Sequence, residues 1–364
     1  MKHRWIALAA AAMTAAAALP VLPVQAADTV QVVVIGDNVA YAAGTATQAY
    51  AEHAGISDVE YTFLTKENAH TEDVLAQLDD AATLDALKDA DYVIFAVGMY
   101  DIVDPYIAQA TEFRIQYGFE HFSDIFYAHM SDFEGITTED ELKQDCNVLG
   151  RCARQNKKTA IANLPQIGEK INAATKAKVI AINCYNPMDT IEAYANNKIT
   201  EKRQMAYDTA ANPVKAQMKD YLNPEYAKYT DAYGFTVVDI YSEFAGKAYI
   251  YSHPEELQPE PTLYGSRLLA RKVSEAMGQD LGDMPDPLLG DVNGDGEITA
   301  SDAAQVLIHA ADLGAGGDGT VTKLQAMYGN VSRDFSTNAT DAARILIYAA
   351  IQGAGGEADF GRIG

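Results

Sequence analysis

The segment Val30-Gln-Val-Val-Val-Ile-Gly36 is a run of mostly β-branched residues that ends at a glycine. Such a run is typical of a strand that is buried on both faces of a parallel sheet. Four similar runs follow along the chain, at 59–64, 92–98, 178–184 and 235–241. Helical patterns lie between them, so the sequence predicts an α/β fold over residues 29–280, a three-layer arrangement around a five-stranded parallel sheet of flavodoxin-like type.

Two long insertions interrupt this pattern, near residues 104–156 and 186–232, and both are rich in tyrosine and phenylalanine. We expect them to lie over the carboxyl ends of the strands, the edge at which open α/β sheets bind ligands. Aromatic residues there would suit stacking on a sugar ring, and they would suit a packed core equally well. The sequence leaves both interpretations open.

The balance of charge excludes several classes of partner. The 364 residues carry 27 Lys and Arg against 51 Asp and Glu, a formal net charge of −24. Such a chain repels phosphate backbones and anionic lipid surfaces, so we expect no nucleic-acid partner. Strong acidity suits a cation site instead, and a 48% share of apolar residues is ample for a folded core.

The first 26 residues have the features of a secretory signal peptide. A basic start precedes an Ala-rich apolar run, and Val24-Gln-Ala26 supplies small residues before a cut at Ala27. A membrane anchor is the alternative interpretation, but Pro20 and Pro23 beside a cleavage-like site argue against it. We therefore expect a secreted, extracellular protein without a membrane anchor.

Three cysteines are too few for a disulfide scaffold. Cys146 and Cys152 could close a small loop after export, and the sequence does not decide whether they pair. Cys184 lies in a strand-like run, so we interpret it as an unreactive thiol of the core.

The C-terminal part contains an internal repeat, which follows a segment rich in proline and glycine that is typical of a linker, at 281–290. The stretch 291–302 recurs 39 residues later as 330–341, and each copy is followed by a similar helical pattern. Both copies then close with Gly-Ala-Gly-Gly, at 314–317 and 353–356. Recurrence at one offset over so many positions indicates two copies of one structural unit.

Each copy has the donor spacing of a calcium-binding loop. In the first copy the donors are the side chains of Asp291, Asn293, Asp295 and Asp302 and the backbone carbonyl of Glu297, with Gly296 at the sharp turn. In the second copy they are Asn330, Ser332, Asp334, the carbonyl of Ser336, and Asp341. The second copy has Phe335 in place of the glycine and has lost two carboxylates, so we predict one strong and one weaker Ca²⁺ site. A folded second loop with little or no ion is the alternative.

Paired Asp-containing loops, each followed by one helix, resemble a type I dockerin domain, here over residues 291–356. The resemblance implies calcium-dependent docking to a cohesin module of a scaffoldin, as in cellulosome-like complexes. It also implies eight contacts with the cohesin, repeated so that either copy could face it: Ala300, Ser301, Leu307, Ile308, Ala339, Thr340, Leu346 and Ile347. Leu307 and Leu346 could equally be core residues of their helices.

Residues 29–280 resemble the SGNH (GDSL-type) hydrolases. Ile35-Gly-Asp-Asn38 stands where that family has Gly-Asp-Ser, and Val97-Gly-Met-Tyr-Asp101 stands where it has Gly-x-Asn-Asp. The stretch beginning at Asp239 resembles the family's late strand end, and Glu260-Pro-Thr-Leu-Tyr-Gly265 resembles its closing His-Pro motif. The resemblance implies the fold of these enzymes.

The catalytic groups of that family are absent from the matching positions. Asn38 replaces the serine nucleophile, Glu260 the histidine, and Leu257 the acid. Asn68 replaces the oxyanion-hole glycine of the second block, and Tyr100 the asparagine of the third, while Gly98 is retained. A nucleophile, a base and an orienting acid act as a unit, so we expect no serine hydrolase chemistry.

Substitute catalytic groups are conceivable. Ser252 or Ser242 could act with His253 or His70, with Asp37 or Asp239 as the acid. Alternatively, Asp37 could act on a glycoside together with Asp101 or Glu260. The structural alternative places Asp37 as a helix cap and Asp101 in a turn.

The sequence thus favours a secreted, dockerin-bearing subunit of a polysaccharide-degrading complex. Its SGNH-like module has lost hydrolase chemistry and binds polysaccharide or a protein. One competing hypothesis is an active carbohydrate (acetyl) esterase with relocated catalytic residues, and another is a first module with a purely structural role.

Overall fold

The computed structural model describes residues 29–120, 124, 130–189, 208–252, 258–334, 336–360 and 363. The predicted signal peptide, His253 and Leu257 lie outside the described residues, as does part of the second aromatic insertion.

The described residues form a five-stranded, fully parallel sheet in the order β2-β1-β3-β4-β5. The strands are β1 Val30–Gly36, β2 Val59–Thr65, β3 Tyr92–Ala96, β4 Lys178–Ile182 and β5 Thr236–Val238. In β1, Val32 to Ile35 are at most 3% exposed, because helices cover both faces of the sheet. The predicted fold class is confirmed.

Helices connect and cover these strands. In the first module they are α1 Asn38–His53, α2 Thr71–Gln77, α3 Ala81–Asp89, α4 Met99–Tyr117, α5 Glu139–Cys152, α6 Lys157–Ala174, α7 Asn212–Gln217, α8 Asn223–Tyr233, α9 Ile240–Phe244, α10 Ala248–Tyr251 and α11 Leu263–Met277. Short 3-10 and π-helical turns occupy Met130–Asp132 and Met218–Leu222. Helix α1 packs against α11, whereas α6 packs with α2, α3 and α8.

The turn from β1 into α1 brings two strand ends together. Gly36 has a φ of 130°, and a Cβ added to it would lie 1.8 Å from the carbonyl oxygen of Ala96, at the end of β3. The backbone N–H of Asp37 donates to that same oxygen at 3.0 Å. The Asp37 carboxylate then caps α1 by accepting from the N–H of Val39 at 2.9 Å. Glycine is therefore required where the site begins.

The aromatic residues described in the first insertion belong to the core. Tyr106, Phe113 and Tyr117 are buried on α4, and the Tyr117 ring meets Phe113 edge-on at 4.8 Å between centroids. These rings therefore offer no platform for a sugar. Core packing is the correct interpretation for this part of the insertion.

All three cysteines are free thiols. Cys146 and Cys152 lie six residues apart in α5, a rise of about 9 Å along the helix axis. That separation exceeds the span of a disulfide, so a bridge between them would require α5 to unwind. Cys184 is buried, as predicted for a core thiol.

The C-terminal module has three described helices, α12 Ala300–Gly314, α13 Lys323–Gly329 and α14 Ala339–Gly353. Helices α12 and α14 pack on each other around Val306 and Ile345. Helix α13 packs with both of them and, more extensively, against α1 of the first module.

The segment 281–290, predicted as a linker, forms neither a helix nor a strand and takes part in the contact between the modules. Leu281 and Met284 are buried with Tyr50 of α1 and Tyr328 of α13. The Tyr50 and Tyr328 hydroxyls lie 3.4 Å apart. The two modules thus share an apolar cluster.

Within the described part of the chain, the helices are all too short or too polar to span a bilayer.

Replacement of Gly36 by alanine tests the close approach of β1 to β3. We expect Gly36→Ala to lower the free energy of unfolding by at least ~3 kcal/mol, because the new Cβ would overlap backbone rather than a movable side chain. Gly55→Ala is the matched control, since Gly55 has a φ of 79° and a Cβ added to it would meet nothing within 4 Å. It should cost about 1–2 kcal/mol. Urea unfolding measures both free energies. Equal losses of stability in Gly36→Ala and Gly55→Ala would contradict the close approach of β1 to β3 at Gly36.

Candidate functional site

Four of the five positions at which the sequence departs from the hydrolase pattern meet at one point. Asn38 begins α1, Asn68 follows β2, Tyr100 lies in the first turn of α4, and Glu260 precedes α11. Hydrogen bonds join all four side chains. We call this group the four-residue network.

The Asn38 amide lies at the centre of the network. Its Oδ1 accepts the backbone N–H of Asn68 at 2.7 Å, and its Nδ2 donates to Asn68 Oδ1 at 3.2 Å and to Glu260 Oε1 at 3.3 Å. The Tyr100 hydroxyl donates to the same Glu260 oxygen at 2.9 Å. The polar groups therefore satisfy one another.

Backbone conformation and burial fix the members of the network. Asn68 has a φ of 50°, and Gly98, with a φ of 108°, starts α4 so that Tyr100 lies beneath the site. Tyr100 is 1% exposed and Asn38 is 7% exposed. Burial raises the pKa of the Glu260 carboxyl, although the hydrogen bond from Tyr100 and the charge of Arg333 act in the opposite direction.

The buried carboxylates beside the network have structural partners. Asp37 caps α1, and burial raises its pKa to about 8. Asp101, in the first turn of α4 rather than in a turn between elements, accepts from the backbone N–H and the hydroxyl of Thr71, both at 2.8 Å. Both carboxylates are only 1% exposed. These contacts favour a structural role over action on a glycoside.

The residues considered as substitute catalytic groups do not bond to one another as a nucleophile and its base would, among the described contacts. The Ser242 hydroxyl donates to Asp239 at 2.6 Å, and Ser252 is fully buried. His70 Nε2 lies 2.8 Å from Asp104, and this hydrogen bond raises the histidine pKa. Sequence reasoning missed Asp104, although it lies one helical turn beyond Asp101 on α4.

A cavity of about 770 Å³ opens over Asn38 and Glu260. Its walls come from both modules, and we call it the junction cavity. Most of its lining residues were not identified from the sequence as site residues, among them Tyr41, Phe63, Tyr264, Leu313, Met327 and Arg333. Those from the second half of the chain carried no signal, because nothing in a repeat indicates which of its faces meets another module.

The first repeat loop turns around two buried carboxylates. Asp291 accepts from the backbone N–H of Gly294 and of Gly296, both at 2.8 Å. Asp302 accepts from the N–H of Val292 at 2.9 Å and of Asn293 at 3.0 Å. Asn293 and Asp295 complete the loop, and the Glu297 side chain is exposed.

Hydrogen bonds among its own residues also close the second loop. Asn330 Nδ2 donates to the backbone carbonyl of Asp334 at 2.6 Å, and its Oδ1 accepts from the Ser332 hydroxyl at 3.2 Å. Asp341 accepts from the N–H of Ser332 at 2.7 Å, and Ser336 N–H donates to Asp334. Among the described residues, no three Asp, Glu, His or Cys side chains gather into a metal cluster in either loop or elsewhere.

The predicted cohesin contacts are exposed on α12 and α14. Leu307 is 52% exposed, Ile308 58%, Leu346 51% and Ile347 46%. Their neighbours Val306 and Ile345 are fully buried and form the core instead. The interpretation of Leu307 and Leu346 as core residues is therefore wrong. The four smaller predicted contacts are also exposed: Ala300, Ser301, Ala339 and Thr340.

Comparison with known structures concerns the first module. A lipase from a goat rumen metagenome is 16% identical, with a TM-score of 0.41 over 70% of this chain and 100% of its own. An acetyl xylan esterase is 14% identical, with a TM-score of 0.34 over 68% of this chain and 99% of its own. A lipase/acylhydrolase from Enterococcus faecalis is 11% identical, with a TM-score of 0.35 over 70% of this chain and 100% of its own. No curated protein matches the sequence.

Comparison with protein families concerns the second module. Residues 289–348 match the dockerin type I domain. Dockerin domains bind Ca²⁺ and take cohesin modules as partners in extracellular, cellulosome-type assemblies. The chain therefore carries a dockerin type I domain, joined to an α/β module that is built on a five-stranded parallel sheet.

Proposed function

We propose that this chain is a secreted subunit that attaches to a scaffoldin cohesin through its dockerin domain and presents an SGNH-like module that does not hydrolyse esters. The observation that carries the second part is the four-residue network. It occupies the positions of the family's nucleophile, base and oxyanion donors with groups that bond to one another.

The residue at the nucleophile position, Asn38, supports the proposal that the module does not hydrolyse esters. The nitrogen lone pair of the Asn38 amide is delocalised into its carbonyl, so it cannot attack an ester as a serine oxygen does. Glu260, at the base position, accepts hydrogen bonds from Asn38 and Tyr100 instead of activating a hydroxyl.

The oxyanion position supports it independently. A hydrolase needs donors aimed at the developing negative oxygen. Here the backbone N–H of Asn68 donates to Asn38 Oδ1, and the Tyr100 hydroxyl donates to Glu260. Both donors are therefore directed into the protein rather than toward a substrate carbonyl.

A second function, that of an active carbohydrate esterase, is favoured by one observation. His70 pairs with Asp104 as a catalytic base pairs with its orienting acid. In this alternative the base acts on a water or on a relocated serine.

Ester hydrolysis distinguishes the two functions. With acetylated xylan and p-nitrophenyl acetate, we expect the mature protein to give no more turnover than Asn38→Ala, because neither protein has a nucleophile. Cohesin binding by the same samples controls for folding. Turnover above the buffer rate that disappears in His70→Ala, Ser242→Ala or Ser252→Ala would establish the esterase and overturn our proposal.

The docking part of the proposal assigns the ions and the partner surface. Asp291, Asn293, Asp295, the Glu297 carbonyl and Asp302 supply hard oxygens to the stronger Ca²⁺ site, and amide and carbonyl oxygens are ligands that Ca²⁺ accepts beside carboxylates. The second loop holds Ca²⁺ more weakly, because Asn330 and Ser336 stand where the first loop has Asp291 and Glu297, which leaves fewer negative charges around the ion. The exposed apolar residues of α12 and α14 contact the cohesin.

Matched substitutions at the fifth position of each loop test this assignment. Asp295→Asn should weaken the stronger Ca²⁺ site by roughly tenfold or more and reduce cohesin binding, because it removes one ligand charge. Asp334→Asn should change only the weaker phase of a calorimetric Ca²⁺ titration. A chelator should abolish cohesin binding by the wild type. An unchanged titration in Asp295→Asn would contradict the assignment of the first loop.

A further inference from the structure

The junction cavity is built by both modules. Tyr41, Phe63 and Tyr264 line it from the first module, while Leu313, Met327 and Arg333 line it from the dockerin domain. Its volume of about 770 Å³ falls within the range of about 300–1,000 Å³ that is usual for small-molecule sites. The position corresponding to the hydrolase active site therefore has a dockerin wall.

Several contacts hold that wall in place. Tyr50 and Tyr328 join α1 to α13 within an apolar cluster. Arg267 of α11 donates to Asp286 at 2.6 Å, which fastens the connecting segment. The dockerin domain is thus held against the first module by buried apolar surface as well as by polar contacts.

Arg333 provides the most informative observation. Among the described residues, only Asn68 and Arg333 combine a non-glycine side chain with a positive φ. Arg333 lines the cavity, and Asn68 bonds to Asn38, which also lines it. The equivalent position of the first loop is Gly294, with a φ of 76°. A side chain there costs about 1–2 kcal/mol. Residues held in such conformations cluster at ligand sites.

The Arg333 side chain is directed toward the cavity. Its Nη1 donates to Gln258 at 2.6 Å, two residues before Glu260. The second loop therefore departs from the first at a residue that lines the cavity. Formal charges at the wall balance, with Lys323 and Arg333 opposing Glu260 and Asp334.

We propose that the junction cavity is a composite ligand site that binds an uncharged amphipathic glycoside, with Arg333 of the dockerin domain as a specificity-determining residue. The apolar aglycone lies between Tyr41 and Tyr264 on one side and Met327 on the other. The sugar hydroxyls bond to Glu260 and Arg333. This inference rests on the proposed function and deepens it, because it names the class of ligand that the non-hydrolysing module binds.

Titration calorimetry with p-nitrophenyl β-D-xylopyranoside tests the site in the full chain. The wild type should bind saturably, and Ala326→Trp should abolish binding by filling the cavity from α13. Ala82→Trp, on the exposed face of α3 and outside the cavity lining, should bind as the wild type does. Equal binding by Ala326→Trp and Ala82→Trp, or no binding by the wild type, would overturn the proposal.

Arg333→Gly separates ligand recognition from folding. It places in the second loop the residue that the first loop has, so the melting temperature should be unchanged or higher. Affinity for the glycoside should nevertheless fall roughly tenfold, the equivalent of one good polar contact. Wild-type affinity in this variant would overturn the role of Arg333. Octanoate has an apolar chain and an anionic head group. If it bound more tightly than the glycoside, the proposal that the ligand is uncharged would be overturned.

The outcomes also distinguish this inference from the proposed function. Ester hydrolysis by the wild type would refute the non-hydrolytic module whether or not the glycoside binds. Absence of glycoside binding in a protein that neither hydrolyses esters nor loses cohesin affinity would refute the composite site alone.

Discussion

The carboxyl end of β1 lies so close to β3 that Gly36 has no space for a side chain against the Ala96 carbonyl. This contact determines where α1 begins, because the Asp37 N–H donates to the same carbonyl and the Asp37 carboxylate then caps the helix. Asn38 consequently starts α1 beside the first turn of α4, within reach of Asn68, Tyr100 and Glu260. The turn from β1 into α1 therefore presents the Asn38 side chain at the carboxyl edge of the sheet, where the other members of the four-residue network also lie.

These side chains form a closed group. An amide, a carboxyl and a phenol can each donate or accept, and here they use that capacity on one another, with the Asn68 N–H included. Such a network stabilises the fold at the strand ends, because buried polar groups that satisfy one another hold these elements in one arrangement. Helix α1 then connects three environments, with Asn38 in the network, Tyr41 at the junction cavity and Tyr50 in the contact with the dockerin domain.

Much of this arrangement could be predicted from the sequence. The β-branched runs located the five strands, because burial on both faces leaves a continuous apolar signal. The replacements at Asn38, Asn68, Tyr100 and Glu260 were visible by motif, and they meet because parallel strands end at one edge of the sheet.

The rest depends on packing between distant parts of the chain. Gln258 and Arg333 are 75 residues apart, and no local pattern records their contact. The composition of 281–290 indicated a segment without helix or strand but not the burial of Leu281 and Met284. The spacing of Cys146 and Cys152 suggested a loop, whereas the capping box at Thr138 and Glu141 starts a helix that runs through both. Aromatic composition likewise could not separate a sugar platform from the core that Tyr106 and Phe113 form.

The absence of a nucleophile at the four-residue network is the central claim, and covalent labelling tests it most directly. A fluorophosphonate reacts with an activated serine to give one phosphonyl adduct, which intact-protein mass spectrometry resolves. We predict that the folded, calcium-loaded protein keeps its unmodified mass after prolonged exposure, while an active serine esterase treated in parallel is labelled completely. A single stoichiometric adduct on a serine of the first module would contradict the account.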